Sequence, residues 1–277
     1  MREEAGCAGA ARDAENGFRV TLVSTAAVAP LRAEPSVRSE QVTQLLLGET
    51  ADVLETQGTW RRVRTHDVGY EAWVHAGYVR ELDDGAAAAW RERAVWRSAG
   101  AVLARQHERF SLPLGARVVI ERNEVVLPDT RRATIIEGEI RTAAEIAAEA
   151  GRMPPHDWAL DHFGGSPYQW GGRTPWGVDC SGLVQATYAA RGIQLPRDSG
   201  QQVAAGEEVQ PSAMRPGDLL FFRSDSGRDV ITHIAFLAED ETLVHSTIDC
   251  GGVLREAWGP GTRAHALRER LVAVRRV

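Results

Sequence analysis

The chain has 277 residues, 43% hydrophobic and 25% charged, which is enough to bury a sizeable core and more than one average domain needs. Its net charge of −6 comes without a long run of one sign, so neither a nucleic-acid groove nor an anionic membrane surface is indicated as a partner. Three cysteines, Cys7, Cys180 and Cys250, are too few and too irregularly spaced for a disulfide framework or a CxxC zinc site.

The N-terminal stretch MREEAGCAGAARDAENGFRV has no apolar segment behind a basic start, and no stretch reaches the length of a membrane span. With Met1 as the native start, this predicts a cytoplasmic protein. A secreted protein whose signal peptide had been removed would read the same. Residues 1–17 read as a flexible tail. Over 18–82, short β-branched runs (FRVTLVS, ADVLE, WRRVRT, YEAWVHAGYV) are separated by Gly48, Gly58 and Gly69, the pattern of a small all-β barrel. Residues 83–100 have helix-forming composition and read as a connector. Residues 101–150 echo the first barrel: Leu114-Gly115 followed by ARVVIE repeats Leu47-Gly48 and ETADVLE, and TRRATII stands where WRRVRT stood.

The third unit, 151–277, opens after Gly151 and a double proline. DWALDHF is a short helix, and GGSPYQWGGRTPWG is too rich in glycine and proline for regular structure. The run CSGLVQATYAARG then sets Leu183, Val184, Thr187 and Tyr188 on one helical stripe closed by Gly192, with Cys180 at the helix N-terminus. Strand patterns follow at GDLLFF, THIAFLA and TLVHST. One helix followed by an antiparallel sheet makes this an α+β domain.

Cys180 has three readings from its residues alone: a buried small hydrophobe, a member of a Cys180-His233-His245-Cys250 zinc set, or a nucleophile. Cys250 reads as structural, and the six other histidines read as surface or strand residues. A helix N-terminus favours the thiolate and supplies N–H groups for an oxyanion, so the nucleophile needs only a base. The histidines lie in two strand-like runs. A hairpin loop over Ala238 to Asp240 pairs His233 directly with His245 on one sheet face, whereas a loop of Glu239-Asp240 alone puts the rings on opposite faces. On the first geometry His233 is the base and His245 orients it, a Cys-His-His triad.

The first barrel resembles bacterial SH3-like domains at Leu47-Gly48, Trp60 and Gly69-Tyr70-Glu71-Ala72-Trp73-Val74. The motifs YxWGG, DCSGL, RPGDLLFF, THIAF and VHS resemble those of the NlpC-type cysteine peptidases of bacterial cell-wall turnover. That resemblance implies a papain-like catalytic domain behind two SH3-like barrels. It places the nucleophile at Cys180, the base at His233, the third polar residue at His245 and an oxyanion-binding hydroxyl at Tyr168. It implies no cofactor and no metal. The SH3-like domain and the stretch PRDSGQQ together are similar to the γ-D-glutamyl-L-diamino acid endopeptidases, which act on murein peptides with a free N-terminal L-alanine. By that resemblance Glu34 and Tyr70 hold the alanine ammonium, and Asp179, Ser181, Asp198 and Ser199 line the rest of the pocket. Competing readings of the same residues are an amidase, an acyl-transferase working through a thioester, and a wall-binding module with an inactive catalytic domain.

Overall fold

The computed structural model describes residues 20–225 and 230–277; the tail expected at 1–17, with Cys7, lies outside the described residues. The first barrel is one antiparallel seven-stranded sheet of Thr21–Ser24, Val28–Arg32, Gln41–Leu46, Thr50–Gln57, Trp60–Thr65, Glu71–His75 and Val79–Leu82. The strand Trp60–Thr65 shows why this sequence makes a sheet: Val63 and Thr65 are buried while Arg62 and Arg64 between them are exposed. Leu22, Leu31, Leu45, Val63 and Val74 form its core.

The second sheet consists of Trp96–Ser98, Val102–Arg105, Glu108–Ser111, Arg117–Glu121, Glu124–Val126, Arg132–Glu137 and Ile140–Thr142. In both sheets the strands lie in the spatial order third, second, sixth, fifth, fourth, first, seventh. The second copy therefore repeats the topology of the first with its own core of Leu103, Leu112, Val118, Val125 and Leu127. Its first strand, Trp96–Ser98, falls inside the stretch read as connector. Helix α1 (Asp84–Arg93), capped by the Asp83 carboxylate on Ala86 N–H, occupies only the first part of that stretch. Three residues are too few for an alternating pattern to show in the sequence.

The two barrels dock through the Leu47-Gly48 turn. Leu47 is buried in the core of the second barrel, its carbonyl accepts from Arg117 N at 2.7 Å, and Trp90 Nε1 donates to the Gly48 carbonyl at 2.9 Å. Gly48 has φ +78°, and a Cβ there would stand 2.1 Å from the Arg117 carbonyl oxygen.

The third unit contains helices α2 (Ala143–Ala150), α3 (Pro155–Phe163), α4 (Cys180–Ala190) and the short α5 (Ser199–Gln202). They accompany a six-stranded antiparallel sheet in the order Glu207–Glu208, Leu271–Arg276, Leu219–Arg223, Ile231–Ala238, Thr242–Thr247, Gly252–Ala257. The run LLFF alternates between two buried faces. Leu219 and Phe221 pack with Leu183, Val184 and Tyr188 of α4, while Leu220 and Phe222 pack with Leu243, Trp258 and Val274 on the other side. Helix α2 sends Ala150 into the α4 core although its sequence reads as the end of the second barrel. Among the described residues no helix is long and apolar enough to cross a membrane.

Candidate active site

Cys180 is the first residue of α4 and is buried. Asp179 caps the helix: its Oδ1 accepts from Gly182 N at 2.7 Å, and its Oδ2 accepts from Gly171 N at 2.8 Å and from Arg197 Nη2 at 2.6 Å. The glycine-rich loop is needed for this close approach, because a Cβ at Gly182 would lie 2.1 Å from the Gly172 carbonyl oxygen. The backbone N–H groups of Ser181 and of Ile234, the residue after His233, act on the Cys180 sulfur to favour its ionised form.

The histidine strands pair with a register not among the two expected. Phe236 faces Val244 and Ala238 faces Thr242, across a turn in which Asp240 and Glu241 take left-handed φ values of 55° and 51°. That register slides the strands by two residues from a direct His233–His245 pairing. A shift of two keeps the side-chain parity, so both rings stay on one face as diagonal neighbours. His233 Nε2 and His245 Nδ1 are 2.8 Å apart, and the His233 ring stacks on Phe222. Behind them, His245 Nε2 lies 3.4 Å from Glu256 Oε2. Tyr168, Cys180, His233 and His245 line one cavity of about 460 Å³, bordered by Asp249, Arg263 and Arg270.

Burial pushes the Cys180 thiol up to about 12; Asp179 acts in the same direction, against the Ile234 N–H, Arg197 and the Ser181 N–H. Burial pushes His233 down to about 3, with His245, Arg270 and Arg263 adding to it and Glu256 opposing. Both shifts favour neutral groups. Both directions oppose the thiolate that a helix N-terminus alone favours. Burial also raises the Tyr168 hydroxyl, with Cys180 and Asp179 contributing, so it stays protonated and able to donate.

On the side of the first barrel, Tyr70 lies near Asp198, and burial followed by the Asp198 charge pushes its hydroxyl up to about 12. The further acid acting on both groups is Glu40, which also accepts from Trp170 Nε1 at 2.5 Å. Glu34 lies in the same loop as Glu40; both are exposed, and the Glu34 backbone N–H donates to Ser39 Oγ at 2.9 Å. Asp179 and Ser181 are buried and already engaged, Ser181 Oγ accepting from Arg197 Nη1 at 2.8 Å, so they frame the pocket from behind. Ser199 opens α5 beside Asp198. Cys250 is exposed, not buried in a core, with its sulfur 3.7 Å from Glu256 Oε2 and outside the Cys180 cavity. His156, expected at the surface, is fully buried on α3 against Glu239.

Residues 165–267 match the NlpC/P60 family, and residues 27–80 match the bacterial SH3 domain. A gamma-D-glutamyl-L-lysine dipeptidyl-peptidase from Bacillus subtilis is 30% identical over 230 residues, covering 74% of this chain and 71% of that protein. The chain belongs to the NlpC/P60 family. A protein of the same description from Bacillus cereus is 27% identical over 230 residues, with 74% of this chain covered and 66% of the relative. The chain thus spans about two thirds of the length of these relatives. The solved structure of an NlpC/P60 family protein from Bacillus cereus matches with a TM-score of 0.72 over 92% of this chain and 99% of that one, at 20% identity. An NlpC/P60 endopeptidase from Photobacterium damselae matches at 0.65 over 95% of this chain and 72% of that one, at 13% identity. These two likenesses carry the fold.

NlpC/P60 proteins are cysteine peptidases, and the motifs of that family led to Cys180 and the histidines. Glu40, Arg173, Arg197 and Glu256 were not found from sequence. Arg197 precedes Asp198 in a stretch without periodicity, and nothing local shows that it is buried. Glu256 did leave a signal: it occupies the inward phase of the alternating strand Gly252–Ala257, where a charge needs a partner.

Proposed function

We propose that the protein is a cysteine endopeptidase that hydrolyses the γ-D-glutamyl bond to a diamino acid in murein-derived peptides. The observation that supports this most is the meeting of Cys180, His233, His245 and Tyr168 around one cavity, in a chain whose relatives carry the dipeptidyl-peptidase description. His233 takes the thiol proton as the sulfur attacks the γ-carbonyl carbon. The carbonyl electrons move to the oxygen, which the helix-end N–H groups and the Tyr168 hydroxyl stabilise. The tetrahedral intermediate collapses, the C–N bond breaks, and His233 returns the proton to the departing amine. Water, deprotonated by the same imidazole, then opens the thioester.

The acid set of Glu40 and Asp198 with Tyr70 fits the ammonium of a free N-terminal L-alanine. An ammonium that leaves water on binding needs a carboxylate partner, and Glu40 and Asp198, both exposed in the free protein, can supply it. A requirement for a free amine restricts the enzyme to released peptides, which fits recycling of wall fragments in the cytoplasm. The test is hydrolysis of L-Ala-γ-D-Glu-diamino acid against its N-acetylated form. The reading expects at least about 10²-fold lower kcat/KM for the capped peptide; equal turnover overturns the free-amine requirement.

A further inference from the structure

The Cys-His-His set leaves one question open: a hydrogen bond between two imidazoles does not determine which nitrogen of the first is the base. His233 Nε2 can donate to His245 Nδ1, or accept from it, and the 2.8 Å separation is the same in both cases. Only the first arrangement leaves His233 Nδ1 with a lone pair for the Cys180 proton.

Glu256 breaks this degeneracy. Its Oε2 is 3.4 Å from His245 Nε2, and it is held from behind by the Arg263 guanidinium, which also grips Asp249 at 3.0 Å. Hydrogen bonding to His245, together with Arg263, keeps the carboxyl ionised, against its burial. A carboxylate only accepts, so His245 must carry its proton on Nε2 and present a lone pair at Nδ1. His233 Nε2 then donates, and its Nδ1 is free to act as base.

We infer that Glu256 is a positioning residue: through its contact with His245 it sets the tautomer of both rings and aligns His233 toward Cys180. The inference rests on the peptidase reading above only for its rate consequence. A second feature separates this carboxylate from a simple structural ion pair. Its other oxygen, Oε1, is buried with no hydrogen-bond partner among the described residues. Burying a carboxylate half-satisfied is costly, and Arg263 alone could be met by Asp249 at the surface. The 3.4 Å contact is long at rest and shortens when positive charge develops on the histidine pair during attack, so the carboxylate supplies the negative end that an imidazole lacks.

Nitrogen-15 NMR of histidine-labelled protein tests this directly. Wild type should show His245 as the Nε2–H form and His233 with an unprotonated Nδ1. In Glu256→Gln, whose amide both donates and accepts, the two rings should exchange between tautomers. With the murein tripeptide, Glu256→Gln should lose about 10²-fold in kcat with little change in KM, at a melting temperature near wild type. An Nδ1–H tautomer at His245 in the wild type, or unchanged tautomers in Glu256→Gln, overturns the inference. So does unchanged kcat in a variant that remains folded. Because the tautomers are read without substrate, failure to cleave this peptide would count against the substrate assignment and leave the positioning role to be decided by the spectra.

Discussion

Arg197 Nη2 lies 2.6 Å from Asp179 Oδ2 with both side chains buried, and the same guanidinium donates through Nε to Thr43 Oγ1 of the first barrel at 3.1 Å. The residue that caps the nucleophile helix is therefore tied, through one arginine, to the SH3-like domain. Arg173, in the two-residue strand Arg173–Thr174 before Cys180, makes a second connection with Glu49 at 3.1 Å and Asp67 at 3.3 Å. Its buried charge is neutralised by these two carboxylates of the first barrel.

A first prediction concerns these ties. Arg197→Ala leaves the Asp179 carboxylate buried without its cation, and we expect a loss of about 3–5 kcal/mol in urea unfolding. Expressed without residues 1–142, the third unit should show no peptidase activity and an early, broad thermal transition. A fully active, cooperative fragment would mean that the barrel is a detachable module.

The second prediction concerns the thiol. With Cys180 pushed up to about 12, alkylation by iodoacetamide should be slow at pH 7 and climb steadily through pH 9 and above. Fast alkylation at pH 6, absent in Cys180→Ser, would indicate a preformed thiolate.

Stability against pH follows from His233. Its folded value of about 3 lies below the unfolded value of about 6.5, so between these the unfolded chain binds a proton that the folded chain does not. The contribution is complete above pH 6.5 and declines as pH falls from there toward 3. Thermal melting should show this decline, and His233→Gln should flatten it.

For the amine pocket, Glu40→Gln should lower kcat/KM on the free-amine peptide by about 10-fold or more, while Glu34→Gln should leave it unchanged. The reverse result would return the role to Glu34.

Gly48→Ala tests the docking of the barrels. A Cβ at 2.1 Å from the Arg117 carbonyl, at φ +78°, forces the turn apart, and a loss of about 2 kcal/mol or more is expected in unfolding by urea.

Legibility in the sequence followed the range of the interactions. The fold class and the buried strand LLFF were readable because alternation and helical spacing are local. The helix start at Cys180 was readable because Asp179 and the glycine loop adjoin it. The hairpin register was not, since two left-handed residues at Asp240 and Glu241 shift it in a way that no turn dipeptide announces. Glu34 and Glu40 lie in one polar loop, and only the tertiary fold brings Glu40 toward Tyr70 and Asp198. The helix end at Cys180 is visible in sequence, but the burial that opposes its ionisation is a tertiary property.

The most direct test of the central claim is product analysis by mass spectrometry after incubating L-Ala-γ-D-Glu-diamino acid with the wild-type protein and with Cys180→Ala. The account expects L-Ala-γ-D-Glu and the free diamino acid from the wild type and intact peptide from the variant. An intact peptide with the wild type, or cleavage that survives in Cys180→Ala, would contradict it.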